Sequence, residues 1–421
     1  MDHFDYHNGI LHAEGVPLPK IALEVGTPFY CYSSATLSRH YTIFSEAFSA
    51  IPTTVCFAVK SNSNQAVLTT LAKLGAGADT VSEGEIRRAR AAGIPASKIV
   101  FSGVGKTRNE IRYALGVGIG QFNVESHEEL SLLSQEACDL GVTAPIAFRV
   151  NPDIDAGTHN KISTGRKTDK FGIAWEDAIA AYNRAGTMKG IKVVGIACHI
   201  GSQLTSLNPF QLAFKKLTEL VETLRKSGHH INRVDLGGGL GIPYETGKEL
   251  PPHPQEYASM IVDTIKHLDC ELILEPGRLI VGNAGILVTS VVQTKNTQDR
   301  NFIIVDAGMN DLIRPSMYDA WHDIVPAIQT AEDSTQQPFD IVGPVCESGD
   351  TFGKQRMMTP VKTDDLLAIR SAGAYGAVMS STYNTRPMIP EIMVHNDDYA
   401  VIRQRPSYDE LINQDIIPEW L

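Results

Sequence analysis

The sequence predicts a (β/α)8 barrel joined to a second, mainly β domain, an α/β plus all-β architecture. Three observations carry this. Eight short apolar runs of strand character recur between about residues 55 and 278, separated by stretches with helical patterning. Most of these runs end in polar residues or glycine. Beyond Arg278 the texture changes to β-branched, alternating segments broken by turn residues. Eight βα repeats point to a closed parallel barrel, whose βα loops converge at the C-terminal ends of the strands. That is the face on which the polar residues fall. A chain of 421 residues with 43% hydrophobic content is long enough for two domains. The expected boundaries are residues 31–280 for the barrel, and residues 1–30 plus 281–421 for the β domain.

Taken in order, the first thirty residues, with VPLPKIALEVGTPFYCYS, read as extended and suited to join the later sheet. The barrel runs are TVCFAVK ending at Lys60, ADTVS at Ser82, KIVFSG at Gly103 and GQFNVES at Ser126. PIAFRVN at Asn151, VVGIACHIGS at Ser202, RVDLGGG at Gly239 and ELILEPGR at Arg278 complete the set. Two intervening helices carry start signals: Ser82 with Glu85, and Ser126 with Glu129, have the spacing of capping boxes, and both helices stop at glycine. Glu83 just before Gly84 has no evident reason. The polar stretch NPDIDAGTHNKISTGRKTDKFGI after the fifth strand is too long for an ordinary βα loop. The β domain follows in GILVTSVVQTKN, NFIIVDAG, FDIVGPVCES, DLLAIRSAG, YGAVMSS and DYAVIRQ.

Composition narrows the class of function. The net charge is -11 and the basic residues are scattered, so no footprint for nucleic acid or anionic membrane is visible. The segment MDHFDYHNGI does not read as a secretory signal, and no apolar run is long enough to span a bilayer. Six cysteines, widely separated and without a CxxC pair, argue for reduced thiols and a cytoplasmic protein. A small metabolite is the expected partner, and no metal is expected.

Several positions carry chemistry. Lys60 closes an apolar strand and is followed by SNSN. A partly desolvated lysine forms imines with aldehydes, although a lone strand-end lysine is usually a solvated surface residue. The glycines of DLGGGLGIPY, Gly237, Gly238 and Gly239, follow strand seven, where barrels often bind phosphate; a tight turn is the equal alternative. Ser202 in HIGSQ offers a hydroxyl to the same anion. His199, between Cys198 and Ile200, is either a core histidine or a flat ring able to stack on a cofactor. Glu275, Gly277 and Arg278 in EPGR end strand eight. A carboxylate facing a pyridine nitrogen would keep it protonated and make the ring a strong electron sink, which suits decarboxylation better than racemisation; a structural ion pair is the alternative. In the β domain, Arg314 and Tyr318 sit in a segment too polar for a core strand, and arginine suits carboxylate recognition. Cys346 and Glu347 lie in a glycine-flanked polar turn, giving a possible acid and a possible ammonium partner.

In their order along the chain, FAVKSN, HIGSQ, DLGGGLG, EPGR and GPVCESGDTFG closely resemble the diaminopimelate decarboxylases. These belong to the alanine-racemase-like barrel class of pyridoxal-phosphate enzymes, with the class-II ornithine, lysine and arginine decarboxylases. The resemblance covers nearly the whole chain, and DAGTHNKISTGRKTDKFG and RPSMYDAWH look specific to the subgroup. It implies that Lys60 holds pyridoxal 5'-phosphate as a Schiff base, that His199 stacks on the ring and that Glu275 faces its nitrogen. Ser202, Gly237, Gly238 and Gly239 would hold the phosphate beside Gly277 and Arg278. Arg278, Arg314 and Tyr318 would grip the distal carboxylate of an amino-acid substrate, Glu347 its distal ammonium, and Cys346 would supply a proton. Tyr375 in SAGAYG would contact cofactor and substrate. It also implies a homodimer with Cys346 and Glu347 facing the partner's cofactor. The implied reaction is decarboxylation of meso-2,6-diaminopimelate at its D-centre to L-lysine and carbon dioxide. The alternatives are an ornithine-, arginine- or carboxynorspermidine-type decarboxylase of the same fold, or a non-catalytic cofactor-binding homologue.

Overall fold

The computed structural model describes residues 2–154, 170–329 and 335–421. It divides into two compact units. One comprises Ser38–Pro243 and Glu249–Ile280; the other comprises Met1–Leu37, Tyr244–Lys248 and Val281–Leu421.

The first unit is a closed parallel barrel. Its strands are β1 (Thr53–Ala58), β2 (Gly77–Thr80), β3 (Ile99–Phe101), β4 (Gln121–Val124), β5 (Ala144–Asn151), β6 (Ile191–Ala197), β7 (Arg233–Asp235) and β8 (Glu271–Leu274). Each pairs in parallel with the next, and β8 closes on β1 with Leu272 opposite Thr53. All eight predicted runs contain a strand, and only β5 reaches its predicted end, at Asn151. The others stop two to five residues early, because the chain leaves the ladder at the barrel mouth to start its loops. Lys60 therefore does not close a strand. It lies in a one-turn 3₁₀ helix, Val59–Ser61, closed by the Asn62 amide donating to the Val59 carbonyl at 3.0 Å. His199, Ser202, the three glycines and Glu275 likewise sit just past their strands.

Helix starts were legible in the sequence, with one refinement. Ser82 and Ser126 accept the amides of Glu85 and Glu129 at 3.2 and 3.0 Å. The glutamates, however, accept the amides of Val81 and Glu125, one residue before each cap, at 2.8 and 3.0 Å. A full reciprocal box occurs at Thr107 and Glu110. Glu83 finds its role as an ion-pair partner of Arg87 one helical turn on, at 2.6 Å. Most of the long polar stretch after β5 lies outside the described residues.

In the second unit, the strand Phe29–Ser33 lies between Gly285–Asn296, antiparallel, and Glu391–His395, parallel. The sheet extends through Asn301–Val305 and Gln337–Val342 to Thr351–Met358 on one side, and to Asp398–Arg403 on the other. Three expectations are corrected here. Phe4–His7, Ile10–Ala13 and Val16–Pro17 form a separate three-stranded sheet. Leu18–Val25 is a helix: a proline in its first turn suits a helix start, Leu18 and Ile21 are buried one turn apart, and Gly26 at φ 76 ends it. In YGAVMSS the chain forms a 3₁₀ turn, Ala377–Met379, instead of a strand. Among the described residues no helix is long and apolar enough to cross a membrane.

Candidate active site

Inside the barrel, polar side chains from several strands meet on a buried floor. Asp79 on β2, Gln121 and Asn123 on β4, and Asp235 on β7 are all nearly inaccessible. Buried polar groups need partners, and Gln121, Asn123 and Asp235 supply one another. Asn123 Nδ2 donates to Asp235 Oδ2 at 2.9 Å, and the Gly237 amide donates to Asp235 Oδ1 at 2.9 Å. Above this floor is a cavity of about 180 Å³ whose wall includes Lys60, Asn123, Arg149, His199, Asp235 and Glu275.

The Lys60 ammonium donates to Asp79 Oδ2 at 2.5 Å. The other Asp79 oxygen is buried with no partner among the described residues. Glu275 is pushed well above the usual carboxyl range by burial and by the nearby Asp235 and Asp79, against the pull of Lys60. Asp235 is raised to about 6, chiefly by burial. Asp235 thus raises the affinity of Glu275 for a proton. His199 is held well below its ordinary value by burial and by the cations Arg149 and Lys60. Its ring is neutral, with Nδ1 accepting the Gly238 amide at 3.2 Å and the remaining proton on Nε2.

The glycines are required by close approach. A Cβ on Gly237 would come within 2.7 Å of His199 Nδ1, and one on Gly238 would collide with the Glu275 carbonyl oxygen. Arg278, buried, donates to Ser202 Oγ at 3.0 Å. The hydroxyl expected at the phosphate and the guanidinium expected at both cofactor and substrate are thus side by side.

The other predicted residues belong to the β unit. Arg314 opens the short helix Arg314–Tyr318 and is buried, with Tyr318 at the helix end. Cys346 and Glu347 are exposed on a turn organised by Asp350, which accepts the Val345 amide at 2.7 Å and the Met309 amide at 2.6 Å. Tyr383 donates to Glu347 Oε1 at 2.6 Å, and the Cys346 amide donates to Asn384 Oδ1 at 3.4 Å. Tyr375 is half-buried in the left-handed region, at φ 55.

Sequence reasoning missed Asp79, Arg149 and Asp235 in the barrel, and Tyr244, His322 and Tyr383 in the β unit. For the barrel residues a signal existed, since each is a charge inside an apolar strand run.

The barrel fits pyridoxal phosphate on its own atoms. Arg149 Nη2 is buried with no partner among the described residues, the Glu275 carboxyl is pushed well above its usual range by burial and neighbouring carboxyls, and Lys60 offers an amine. Such a set suits a ligand that carries an aldehyde, an oxyanion and a basic ring nitrogen. Together with the closed barrel this defines the class of pyridoxal-phosphate barrel enzymes. Residues 34–282 match the family described as pyridoxal-dependent decarboxylase, pyridoxal binding domain. The chain is 50% identical to diaminopimelate decarboxylase of Vibrio cholerae over 422 residues, covering 100% of both. It is 49% identical to that of Zymomonas mobilis over 421 residues, covering 99% of both. A crystal structure of diaminopimelate decarboxylase from M. jannaschii in co-complex with L-lysine superposes with a TM-score of 0.95 at 39% identity, covering 100% of this chain and 99% of that one. The chain belongs to the diaminopimelate decarboxylase family, and its cofactor is pyridoxal 5'-phosphate.

Proposed function

We propose that the protein decarboxylates meso-2,6-diaminopimelate at its D-configured centre, releasing L-lysine and carbon dioxide, the last step of lysine biosynthesis. The observation that carries this reading is the convergence of Lys60, neutral His199 and Glu275 on one barrel cavity, in a chain about half identical to full-length diaminopimelate decarboxylases. When bound, pyridoxal phosphate supplies an electron sink conjugated to the carbon that loses its carboxylate. Lys60 is the residue that would hold it covalently, with Asp79 orienting the amine. His199 would lie flat against the ring, and Glu275 would pair with its nitrogen. Ser202, Gly237, Gly238 and Gly239 would hold its phosphate, with Gly277 and Arg278 also touching the cofactor.

In the same reading, Arg278, Arg314 and Tyr318 bind the distal carboxylate, Glu347 binds the distal ammonium, and Tyr375 touches cofactor and substrate. One carbon–carbon bond breaks, carbon dioxide leaves, and one proton returns to the same carbon from Cys346 Sγ or Lys60 Nζ. The exposure of Cys346 and Glu347 supports a homodimer in which each chain lends these two residues to its partner. Six free cysteines support a reducing, cytoplasmic setting.

The test is lysine formation from each diaminopimelate stereoisomer with added cofactor; lysine is expected from the meso form. Carbon dioxide from ornithine or arginine but not from diaminopimelate would overturn the substrate. Lys60→Ala should abolish the visible absorbance of the cofactor-loaded protein, and an unchanged spectrum would remove Lys60 from its role.

A further inference from the structure

Arg314 is a buried guanidinium, only 6% exposed, at the start of a five-residue helix too short to fix a long side chain by itself. Arginine carries five N–H donors and no acceptor. Its Nη1 lies 2.7 Å from Nε2 of His322, a residue with no exposed surface. That nitrogen must therefore be the acceptor, and the ring proton must sit on Nδ1. The second hydrogen bond agrees, since Nδ1 is 2.8 Å from the Arg370 carbonyl oxygen, which can only accept. Each contact requires the tautomer that the other requires.

A second surface closes on the same guanidinium. Its central carbon is 4.6 Å from the ring centroid of Tyr244, and that ring meets His322 edge-on at 5.2 Å and 81°. Tyr244 comes from the short segment Tyr244–Lys248, which belongs to the β unit although it lies within the barrel's stretch of sequence. The segment is tied down where the Thr246 amide donates to Asp323 Oδ2 at 2.9 Å, next to His322. The His322 lone pair and the Tyr244 ring face thus both bear on the direction of Arg314. A neutral acceptor does this without cancelling the positive charge, whereas a carboxylate in the same place would compete with a bound carboxylate.

We propose that His322, with Tyr244 behind it, is a positioning residue that presents Arg314 to the distal carboxylate of the substrate and so determines selectivity for a substrate with an amino acid at its far end. This rests on the assignment of Arg314 to that carboxylate. The imidazole takes no part in bond making.

The test uses cofactor-loaded enzyme and meso-diaminopimelate. His322→Leu should raise KM on the order of 10-fold or more while kcat changes by less than about 3-fold, the signature of lost binding shared by ground and transition states. His322→Gln carries an amide oxygen to the position of Nε2 and should recover most of the KM. His322→Asn reaches only the Nδ1 position and should not. A merely structural histidine predicts that Gln and Asn lower the thermal midpoint alike and leave KM unchanged, and that result overturns the proposal. If His322→Leu does not fold, the contrast between Gln and Asn decides alone. Arg314→Lys separates the two layers. An unchanged KM in that variant defeats the assignment of Arg314 itself. A raised KM that His322→Leu raises no further in the double variant supports action through Arg314, and independent, multiplying losses count against it.

Discussion

Asp235 and Glu275 share a buried pocket with the Lys60 ammonium, and their protons set how the barrel responds to pH. Asp235 rises from 3.8 to about 6 on folding, so between those values the folded chain binds a proton that the unfolded chain has lost. Its contribution to stability is full below about pH 4 and is lost as the pH climbs through 6; Glu275 acts in the same direction. Thermal midpoints of cofactor-free protein from pH 4.5 to 7 should therefore fall less steeply in Asp235→Asn than in the wild type, and equal slopes would remove Asp235 as the source. At this scale the sequence revealed the residues that end apolar runs: Lys60, His199, Glu275 and the glycines. It marked Asp79, Arg149 and Asp235 only as charges inside apolar runs, because a period of two cannot say which strand face looks into a polar lumen. It hid His322, because nothing local links it to Arg314 except eight residues of spacing.

The barrel helices that carry a side-chain cap, such as those starting after Ser82, Thr107 and Ser126, begin where the cap sits, since capping is settled within four residues of chain. Ser82→Ala removes the acceptor for the Glu85 amide and should cost about 1 kcal/mol, read as a lower denaturation midpoint at constant m-value. Thr107→Ala should cost at least as much, because it removes both the acceptor for the Glu110 amide and the hydroxyl that donates to Glu110 Oε2 at 2.7 Å. An effect below about 0.3 kcal/mol at both sites would mean that tertiary packing alone holds these helix starts. The same locality explains the misread elements. Leu18–Val25 carries strand-like residues, yet its proline start and the spacing of Leu18 and Ile21 select a helix once a sheet is present to pack against. The strand ends were overestimated because a ladder stops where its neighbours diverge, which is a property of the closed barrel and of no single run.

The alternation of eight strands with helices made the barrel legible, since each βα unit is contiguous. The β unit was harder to read, because its order depends on pairings between segments hundreds of residues apart. Subunit exchange tests the dimer. Lys60→Ala and Cys346→Ala are each expected to be inactive, but mixed in equal amounts they should recover about a quarter of wild-type activity, because half the dimers then hold one intact site. No recovery after verified exchange would rule out shared sites. The pairing of Phe29–Ser33 with both Gly285–Val288 and Glu391–Val394 has a further consequence, for synthesis on the ribosome. The five residues FYCYS are fully buried in the finished sheet, yet one of their two neighbours emerges some 360 residues later, roughly 20–70 s at ordinary elongation rates. Before that interval ends the barrel has all its strands and can fold, while a sticky ribbon ahead of it still lacks a neighbour. The nascent chain should accordingly depend on chaperones that shield its leading segment more than its barrel.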